Sequence, residues 1–187
     1  MSWDDVHDAR LAFRTCLEAM SFPGRPASGL PPAGTAAEPS RDGATAVLLG
    51  LLDPGLGLAC ASGSEMPDLA AEICARTGAH PAPVEEADFI LAGADRDPTL
   101  PERARRGTAL APERGATLVY ANAGREHSTL GLEGPGVAGV ETARLGLSAE
   151  ELASLRRANA NPPAGIDLFA VEADGSLVGL PRTVLGG

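Results

Sequence analysis

The order of the helical and strand patterns constrains the fold of this chain more than any other feature of its sequence. Apolar residues recur at helical spacing in three early segments: 4–22, 42–52 and 64–78. Strand-like runs lie between or after them, at 57–61 and 88–91. Further strand candidates then follow one another, at 107–120, 127–132, 137–145, 166–172 and 177–180. Helices and strands that alternate early in the chain, followed by several consecutive strands, predict an α/β or α+β fold with a mixed rather than a purely parallel sheet.

Local signals indicate where several of these elements begin and end. Asp42 is placed to cap the second helix, and Ser148 with Glu151 has the form of a capping box that opens a later helix. Residues 112–115 (Pro-Glu-Arg-Gly) predict a turn between two strands. The segment 23–43 carries repeated proline and glycine, so we expect a long irregular connection there, and it is our first candidate for a partner surface.

The chain contains no lysine, and all 15 of its basic residues are arginine. Several mechanisms depend on a primary amine that no other side chain supplies. This composition therefore excludes a Schiff base to pyridoxal phosphate or to a carbonyl substrate. It also excludes a Walker A phosphate loop and a serine–lysine hydrolase dyad.

The charge of the chain argues against nucleic-acid binding. The net charge is −10 and the isoelectric point is near 4.7, so phosphates would be repelled unless the arginines gathered on one face. The arginine clusters at 103–106 and 156–157 are flanked by acidic residues, which is typical of solvated surfaces. The longest apolar run, 44–52, is too short to span a bilayer. We expect a soluble, cytoplasmic protein that binds neither nucleic acid nor membrane.

The cysteines and histidines do not have the spacing of a disulfide framework or of a metal site. Cys16, Cys60 and Cys74 are widely separated in apolar surroundings, as expected of small core residues. The histidines lie far apart, without paired ligand spacing. We therefore expect no metal and no cofactor. A cysteine nucleophile activated by a histidine stays an open alternative, although Cys16 falls on an apolar helical stripe and is expected to be buried.

The residues 134–139 match the pattern G-x-G-x-x-G and follow a strand candidate. A dinucleotide site needs a helix that begins at such a loop and directs its amides at the pyrophosphate. Here Val137 and Val140 favour a strand instead. A tight turn between two strands is the expected structure, and the cofactor loop is the alternative.

Four charged residues are candidates for a role in ligand binding or at an interface: Arg14, Glu113, Asp167 and Arg182. Glu113 precedes Arg114, and the two could form an acid/base or anion site, although a polar turn that joins two strands explains them more simply. Asp167 stands in an apolar strand, where a carboxylate must be paired. We expect an internal pair with an arginine such as Arg182, and a catalytic carboxylate is the alternative. Arg14 and Arg182 could each hold a carboxylate or phosphate through a bidentate fork.

Five short motifs lie in order along nearly the entire chain. They are Phe13-Arg14 with Ala19-Met20-Ser21-Phe22-Pro23-Gly24, the stretch 107–117, Gly134-Pro135-Gly136, Gly165-Ile166-Asp167-Leu168 and Leu180-Pro181-Arg182-Thr183. Each is weak alone, but their order and spacing together resemble the PhnH subunit of the bacterial carbon-phosphorus lyase system. The resemblance covers residues 1–187 as a single domain, and it includes the four candidate residues named above.

The resemblance implies a fold and a role. The fold would be a three-layer α/β structure with a mixed central sheet, similar to the large domain of pyridoxal-phosphate-dependent transferases. The role would lie in phosphonate use, in a core complex of PhnG, PhnH, PhnI and PhnJ that makes α-D-ribose 1-methylphosphonate 5-triphosphate from ATP and methylphosphonate. Isolated family members form homodimers, and the PhnH subunit has no established chemistry of its own.

The amino-acid composition of the chain limits the chemistry that this resemblance can imply. Without lysine the chain cannot hold pyridoxal phosphate, and its scattered cysteines lack an iron–sulfur motif, so cleavage of the carbon–phosphorus bond would belong to another subunit. We expect an accessory subunit, for which a nucleotide or a phosphonate is a candidate ligand. One alternative is a free-standing transferase or hydrolase of a phosphorylated metabolite, in which Arg14 or Arg182 holds the anion. The other is a pure scaffold that binds no small molecule.

Overall fold

The computed structural model describes residues 3–35, 38–61 and 66–184, and its elements largely follow the predicted order. The helices are α1 (His7–Ser21), α2 (Pro39–Leu51), α3 (Met66–Thr77), α4 (Leu100–Arg103) and α5 (Ala149–Ala158). The strands of the first half are β1 (Gly57–Cys60), β2 (His80–Pro81), β3 (Phe89–Ala92), β4 (Arg106–Thr108) and β5 (Ala111–Gly115). Those of the second half are β6 (Thr117–Ala121), β7 (Ser128–Glu133), β8 (Val140–Leu145), β9 (Asp167–Val171) and β10 (Leu177–Leu180).

A six-stranded sheet forms the centre of the fold, in the order β10-β9-β6-β3-β1-β2. Every neighbouring pair is parallel except β9 and β10, which are antiparallel. The predicted mixed sheet is therefore confirmed. Because β1, β3, β6 and β9 run in one direction, their carboxyl ends lie along a single edge, which we call the carboxyl edge.

Both faces of the sheet are covered, which explains why its strands are apolar along their whole length. Along β6, Leu118 and Tyr120 face one buried layer, whereas Val119 and Ala121 face the other. The strands β3 and β9 alternate in the same way. A one-residue shift in register would exchange these two sets of side chains.

Helices α1, α2 and α3 cover one face of the sheet. Small residues allow close packing there. A Cβ atom at Gly179 of β10 would lie 2.6 Å from the carbonyl oxygen of Ala19 in α1, and one at Gly50 of α2 would lie 2.8 Å from the Cβ atom of Ala12. Glycine at these two positions therefore lets α1 lie directly against β10 and α2.

The other face is covered by an antiparallel ribbon of β7 and β8, together with α4 and α5. The ribbon turns Leu130, Leu132, Ala143 and Leu145 inward, and all four are buried. The predicted capping box of α5 is confirmed, because both of its reciprocal hydrogen bonds form. These elements also arrange the loops at the carboxyl edge.

The predicted cap of the second helix is wrong. Helix α2 begins at Pro39, and the carboxylate of Glu38 accepts hydrogen bonds from the backbone amides of Ser40 and Arg41. Asp42 lies inside the helix and accepts hydrogen bonds from the backbone amides of Ala33 and Thr35. Proline is favoured in the first turn of a helix, where its missing amide proton is not needed. Pro39 therefore favours a start of α2 directly after Glu38.

The predicted turn at 112–115 is also wrong, because these residues belong to strand β5. The turn falls earlier, at Ala109 and Leu110, where the Thr108 hydroxyl accepts a hydrogen bond from the Ala111 amide. The strands β4 and β5 form a separate two-stranded sheet, in which Pro112 is tolerated because such a ribbon leaves one side of each strand unpaired.

The described residues between α1 and α2 form no helix or strand, as the proline and glycine content predicted. A single bridge joins Ala27 to Leu177, so this connection covers the outer side of β10. Within the described part of the chain, no helix has both the length and the apolar character needed to cross a membrane.

Candidate functional site

Two of the four candidate residues form an internal ion pair. Asp167 opens β9 and Arg182 follows β10, so the antiparallel pairing of these strands brings the two together. The Arg182 Nη2 atom lies 2.6 Å from Asp167 Oδ2, and the Arg182 Nε atom lies 3.2 Å from Oδ1. Arg182 Nη1 also donates to the carbonyl oxygen of Pro112, at 2.6 Å. The expected pair thus ties the end of β10 to β9 and β5, and its guanidinium is already occupied.

The other two candidates, Arg14 and Glu113, lie on separate exposed surfaces. Arg14 is on the outer side of α1, and Glu113 is in the β4–β5 ribbon. Neither side chain forms a hydrogen bond or an ion pair with a described residue. The four candidates therefore do not assemble an acid, a base and a nucleophile at one place.

Cys16 and the glycine loop add no catalytic group. Burial raises the pKa of the Cys16 thiol to about 12, which keeps it protonated and unreactive. The loop 134–139 joins the antiparallel strands β7 and β8, and no helix begins there, so the tight turn is confirmed and the cofactor loop is wrong. Among the residues described, no three histidine, cysteine or acidic side chains are grouped as a metal site would require.

Polar side chains gather instead at the carboxyl edge. Arg96 follows β3, Asn122 follows β6 and Glu172 follows β9, and these residues are only 4%, 1% and 7% exposed. Ligands of α/β proteins commonly bind beyond the carboxyl ends of parallel strands. No sequence motif pointed to these residues, although Asn122 and Glu172 stand directly after apolar runs, and such positions can be recognised in a sequence.

A buried charge cluster joins Arg96, Glu151 and Arg125. Arg96 Nε lies 2.5 Å from Glu151 Oε1, and Arg125 Nη2 donates to Glu151 Oε2. The two other nitrogens of Arg96 each donate to a backbone carbonyl, that of Gly93 or of Gly146, at 2.9 Å. Every nitrogen of the Arg96 guanidinium is therefore paired.

Burial changes the pKa of Arg96 and of the tyrosine that packs against it. Burial lowers the pKa of the Arg96 guanidinium, and the paired carboxylate of Glu151 partly opposes this effect. The Arg96 guanidinium carbon lies 3.8 Å from the centroid of the Tyr120 ring, and burial raises the pKa of that phenol. Glu151 also belongs to the capping box of α5. We conclude that the cluster fixes α5 to the loop after β3.

A second polar group at the carboxyl edge consists of Asn122, His127 and Glu172. Glu172 Oε1 accepts hydrogen bonds from Asn122 Nδ2, at 2.9 Å, and from the backbone amide of Gly146, at 3.3 Å. Glu172 Oε2 lies 3.0 Å from His127 Nε2. The carboxylate is thus held by donors on one oxygen and orients the imidazole with the other.

The imidazole of His127 is 39% exposed and lines a cleft of about 400 Å³ at this edge. We call this space the His127 cleft, and its other lining residues include Pro26, Arg144, Glu172, Ser176 and Val178. On its opposite side His127 borders a second cavity of about 520 Å³ beside the first residues of α5. A carboxylate-oriented histidine in a cleft is the arrangement that can bind or accept a proton from a small ligand.

An apolar surface lies on α1, away from the carboxyl edge. Val6, Phe13, Leu17 and Phe22 are between 50% and 81% exposed. Phe13 and Leu17 also line a groove of about 430 Å³ that continues to Phe169 in the sheet. Large apolar side chains that cluster at an exposed position commonly mark a contact with another protein. We call the surface that Phe13 and Leu17 form the α1 face.

Comparisons with known proteins identify the family of the chain. The family model described as bacterial phosphonate metabolism protein (PhnH) matches residues 2–185. A protein of Stutzerimonas stutzeri named putative C-P lyase subunit protein HtxG is 33% identical over 174 residues, which are 92% of this chain and 82% of that protein. The motifs quoted above fall inside the matched range. The chain therefore belongs to the PhnH family of bacterial phosphonate metabolism proteins.

Proposed function

We propose that this chain is a subunit of the carbon-phosphorus lyase core complex. In that complex it is required for making α-D-ribose 1-methylphosphonate 5-triphosphate from ATP and methylphosphonate. Its own part is accessory and structural rather than catalytic. The observation that carries the proposal is the match to the PhnH family over residues 2–185, together with a relative that is itself named a C-P lyase subunit.

The geometry of the predicted residues supports an accessory role. Arg182, one of the two candidates for holding an anion, donates instead to Asp167 and Pro112. Arg14 and Glu113 lie apart on exposed surfaces. A free-standing transferase or hydrolase would need these groups to converge on one substrate. A role as an accessory subunit therefore explains the positions of these residues better than a role as a free-standing enzyme does.

The α1 face supports a role in assembly. Leu17 is 57% exposed and Phe13 is 50% exposed, and neither is covered by a described part of the chain. Burying such side chains against a partner is favourable by about 25 cal/mol for each Å² of apolar surface. We assign this face to contact with the PhnG, PhnI or PhnJ subunits, in the cytoplasm. The isolated chain is a single domain that forms a homodimer.

Co-purification tests the proposal. The full chain, its Leu17→Asp variant and its Leu110→Asp variant are each produced together with tagged PhnG, PhnI and PhnJ. Leu110 is 98% exposed at the tip of the β4–β5 ribbon, so the same substitution there is a matched control. We expect the wild type and the Leu110→Asp variant to purify with the tagged subunits. The Leu17→Asp variant should not purify with them. Failure of the wild-type chain to bind any of them would contradict a subunit role.

A further inference from the structure

The His127 cleft contains a histidine whose orientation is fixed from one side. Glu172 Oε2 lies 3.0 Å from His127 Nε2, and the other carboxylate oxygen is held by Asn122 and Gly146. An ionised carboxylate can only accept hydrogen bonds, so it places the imidazole proton on Nε2. The lone pair of Nδ1 is then free to accept a proton, and this atom forms no hydrogen bond with a described residue.

An arginine in the same cleft has an unused guanidinium. Arg144 is on β8, directly opposite Thr129 in the ribbon, and it lines the cleft with His127. Its side chain forms no ion pair or hydrogen bond within the described residues. Its five N–H groups are therefore available to an oxyanion, which guanidinium binds in a bidentate geometry.

The acidic groups beside His127 are already satisfied by donors of the protein. Glu172 accepts from Asn122, from Gly146 and from His127 itself. Asp174 also lines the cleft, and hydrogen bonds from the hydroxyl and the backbone amide of Ser176 lower the pKa of its carboxyl group. Their charges are partly compensated in this way, whereas the charge of Arg144 is not.

The size of the cleft and the residues of its wall indicate which groups the ligand has besides its anionic group. A volume of about 400 Å³ falls within the usual range for small-molecule sites and exceeds what an inorganic anion would fill. Pro26 and Val178 supply an apolar part of the wall. The complementary molecule is an oxyanion with an apolar or ring substituent.

We propose that the His127 cleft binds a small organic oxyanion, a phosphonate or a carboxylate, between Arg144 and Nδ1 of His127. The anion accepts hydrogen bonds from the Arg144 guanidinium. The bound anion favours the imidazolium form of His127, in which the second proton is on Nδ1 and the ring lies between the carboxylate of Glu172 and the ligand. Binding is thus coupled to proton uptake at a defined atom.

The site is independent of assembly through the α1 face. The cleft lies at the carboxyl edge, whereas α1 packs on the face of the sheet that the β7–β8 ribbon does not cover. Binding is measured on the isolated chain and assembly with the other subunits. A negative result for the cleft therefore leaves the proposed subunit role standing, and the reverse also holds.

Isothermal titration calorimetry of the isolated full chain tests the proposal, with phenylphosphonate and benzoate as separate probes. Each titration is run near neutral pH in two buffers of different ionisation enthalpy, which reveals proton uptake. The variants are Arg144→Gln, His127→Gln and, as a matched control, Arg156→Gln. Arg156 is an exposed arginine on α5 that does not line the cleft. Urea midpoints confirm that each variant is folded.

We expect at least one probe to bind saturably with proton uptake. Binding of phenylphosphonate identifies the ligand class as phosphonates, and binding of benzoate identifies carboxylates. Arg144→Gln should weaken binding at least tenfold, His127→Gln should weaken it and abolish the buffer dependence, and Arg156→Gln should leave it unchanged. The proposal is overturned if neither probe binds saturably, or if Arg144→Gln binds as tightly as the wild type.

Discussion

Replacing Glu151 by glutamine tests the buried charge cluster at the carboxyl edge. The substitution keeps the shape of the side chain but removes the charge that two arginines share. The side chains of Arg96 and Glu151 are 0% and 1% exposed, and that of Arg125 is 18% exposed. Removing one member of a buried ion pair leaves an uncompensated charge and typically costs about 3–5 kcal/mol of the free energy of unfolding.

The expected change in melting temperature follows from the size of the chain. For 150–250 residues, each kcal/mol shifts the melting temperature by about 2–4 °C, so Glu151→Gln should lower it by about 6–20 °C. Urea unfolding followed by circular dichroism gives the free energy directly, provided that the slope m is unchanged.

A matched substitution separates the effect of burial from the effect of removing a negative charge. Glu85 pairs with Arg103 at the surface, where the two side chains are 55% and 49% exposed. Glu85→Gln removes a carboxylate from an arginine in the same way, but water screens the pair. We expect its urea midpoint to stay close to that of the wild type. Equal losses from Glu151→Gln and Glu85→Gln would refute the reasoning from burial.

Three further predictions follow from packing and titration. Gly179→Ala should destabilise the fold by about 1–3 kcal/mol, because its Cβ atom meets the backbone of Ala19, and urea unfolding measures this. Cys16 should resist iodoacetamide in the folded chain and react after unfolding, as mass analysis of the peptide that contains it would show before and after urea; labelling of that peptide in native buffer would contradict its burial. Hydrogen bonds from arginine lower the pKa of the Glu102 and Glu141 carboxyl groups below 4.5. Carbon-13 NMR titration should therefore show both carboxyl groups protonating at a lower pH in the folded chain than in the urea-unfolded chain, and equal titration midpoints in the two states would contradict this. Any stability that these exposed pairs contribute is lost as the pH falls through the folded-state pKa values.

Features that depend on nearby residues could be predicted from the sequence. The apolar runs of β6 and β9 identified buried strands, and the pair Ser148 and Glu151 identified the start of α5. The pairing of Asp167 was also predictable, because a carboxylate on a buried strand requires a partner. Local chemistry misled at two places: Glu38 rather than Asp42 caps α2, and residues 112–115 belong to strand β5 rather than to a turn.

Features that depend on distant residues could not be predicted in this way. Glu151 was recognised as a capping residue, but its pairing with Arg96 joins positions 55 residues apart in the chain. Glu172 and His127 are 45 residues apart, and they meet because β6 and β9 are neighbours in the sheet. The strand order that creates these contacts is a property of the whole fold.

The rate of ribose-phosphonate formation tests the central claim most directly. PhnG, PhnI and PhnJ are reconstituted with and without this chain, and the conversion of ATP and methylphosphonate to α-D-ribose 1-methylphosphonate 5-triphosphate is followed by phosphorus NMR. We predict that omission of the chain abolishes the conversion and that adding the chain restores it. Conversion at the full rate without the chain would contradict its proposed role as a required subunit.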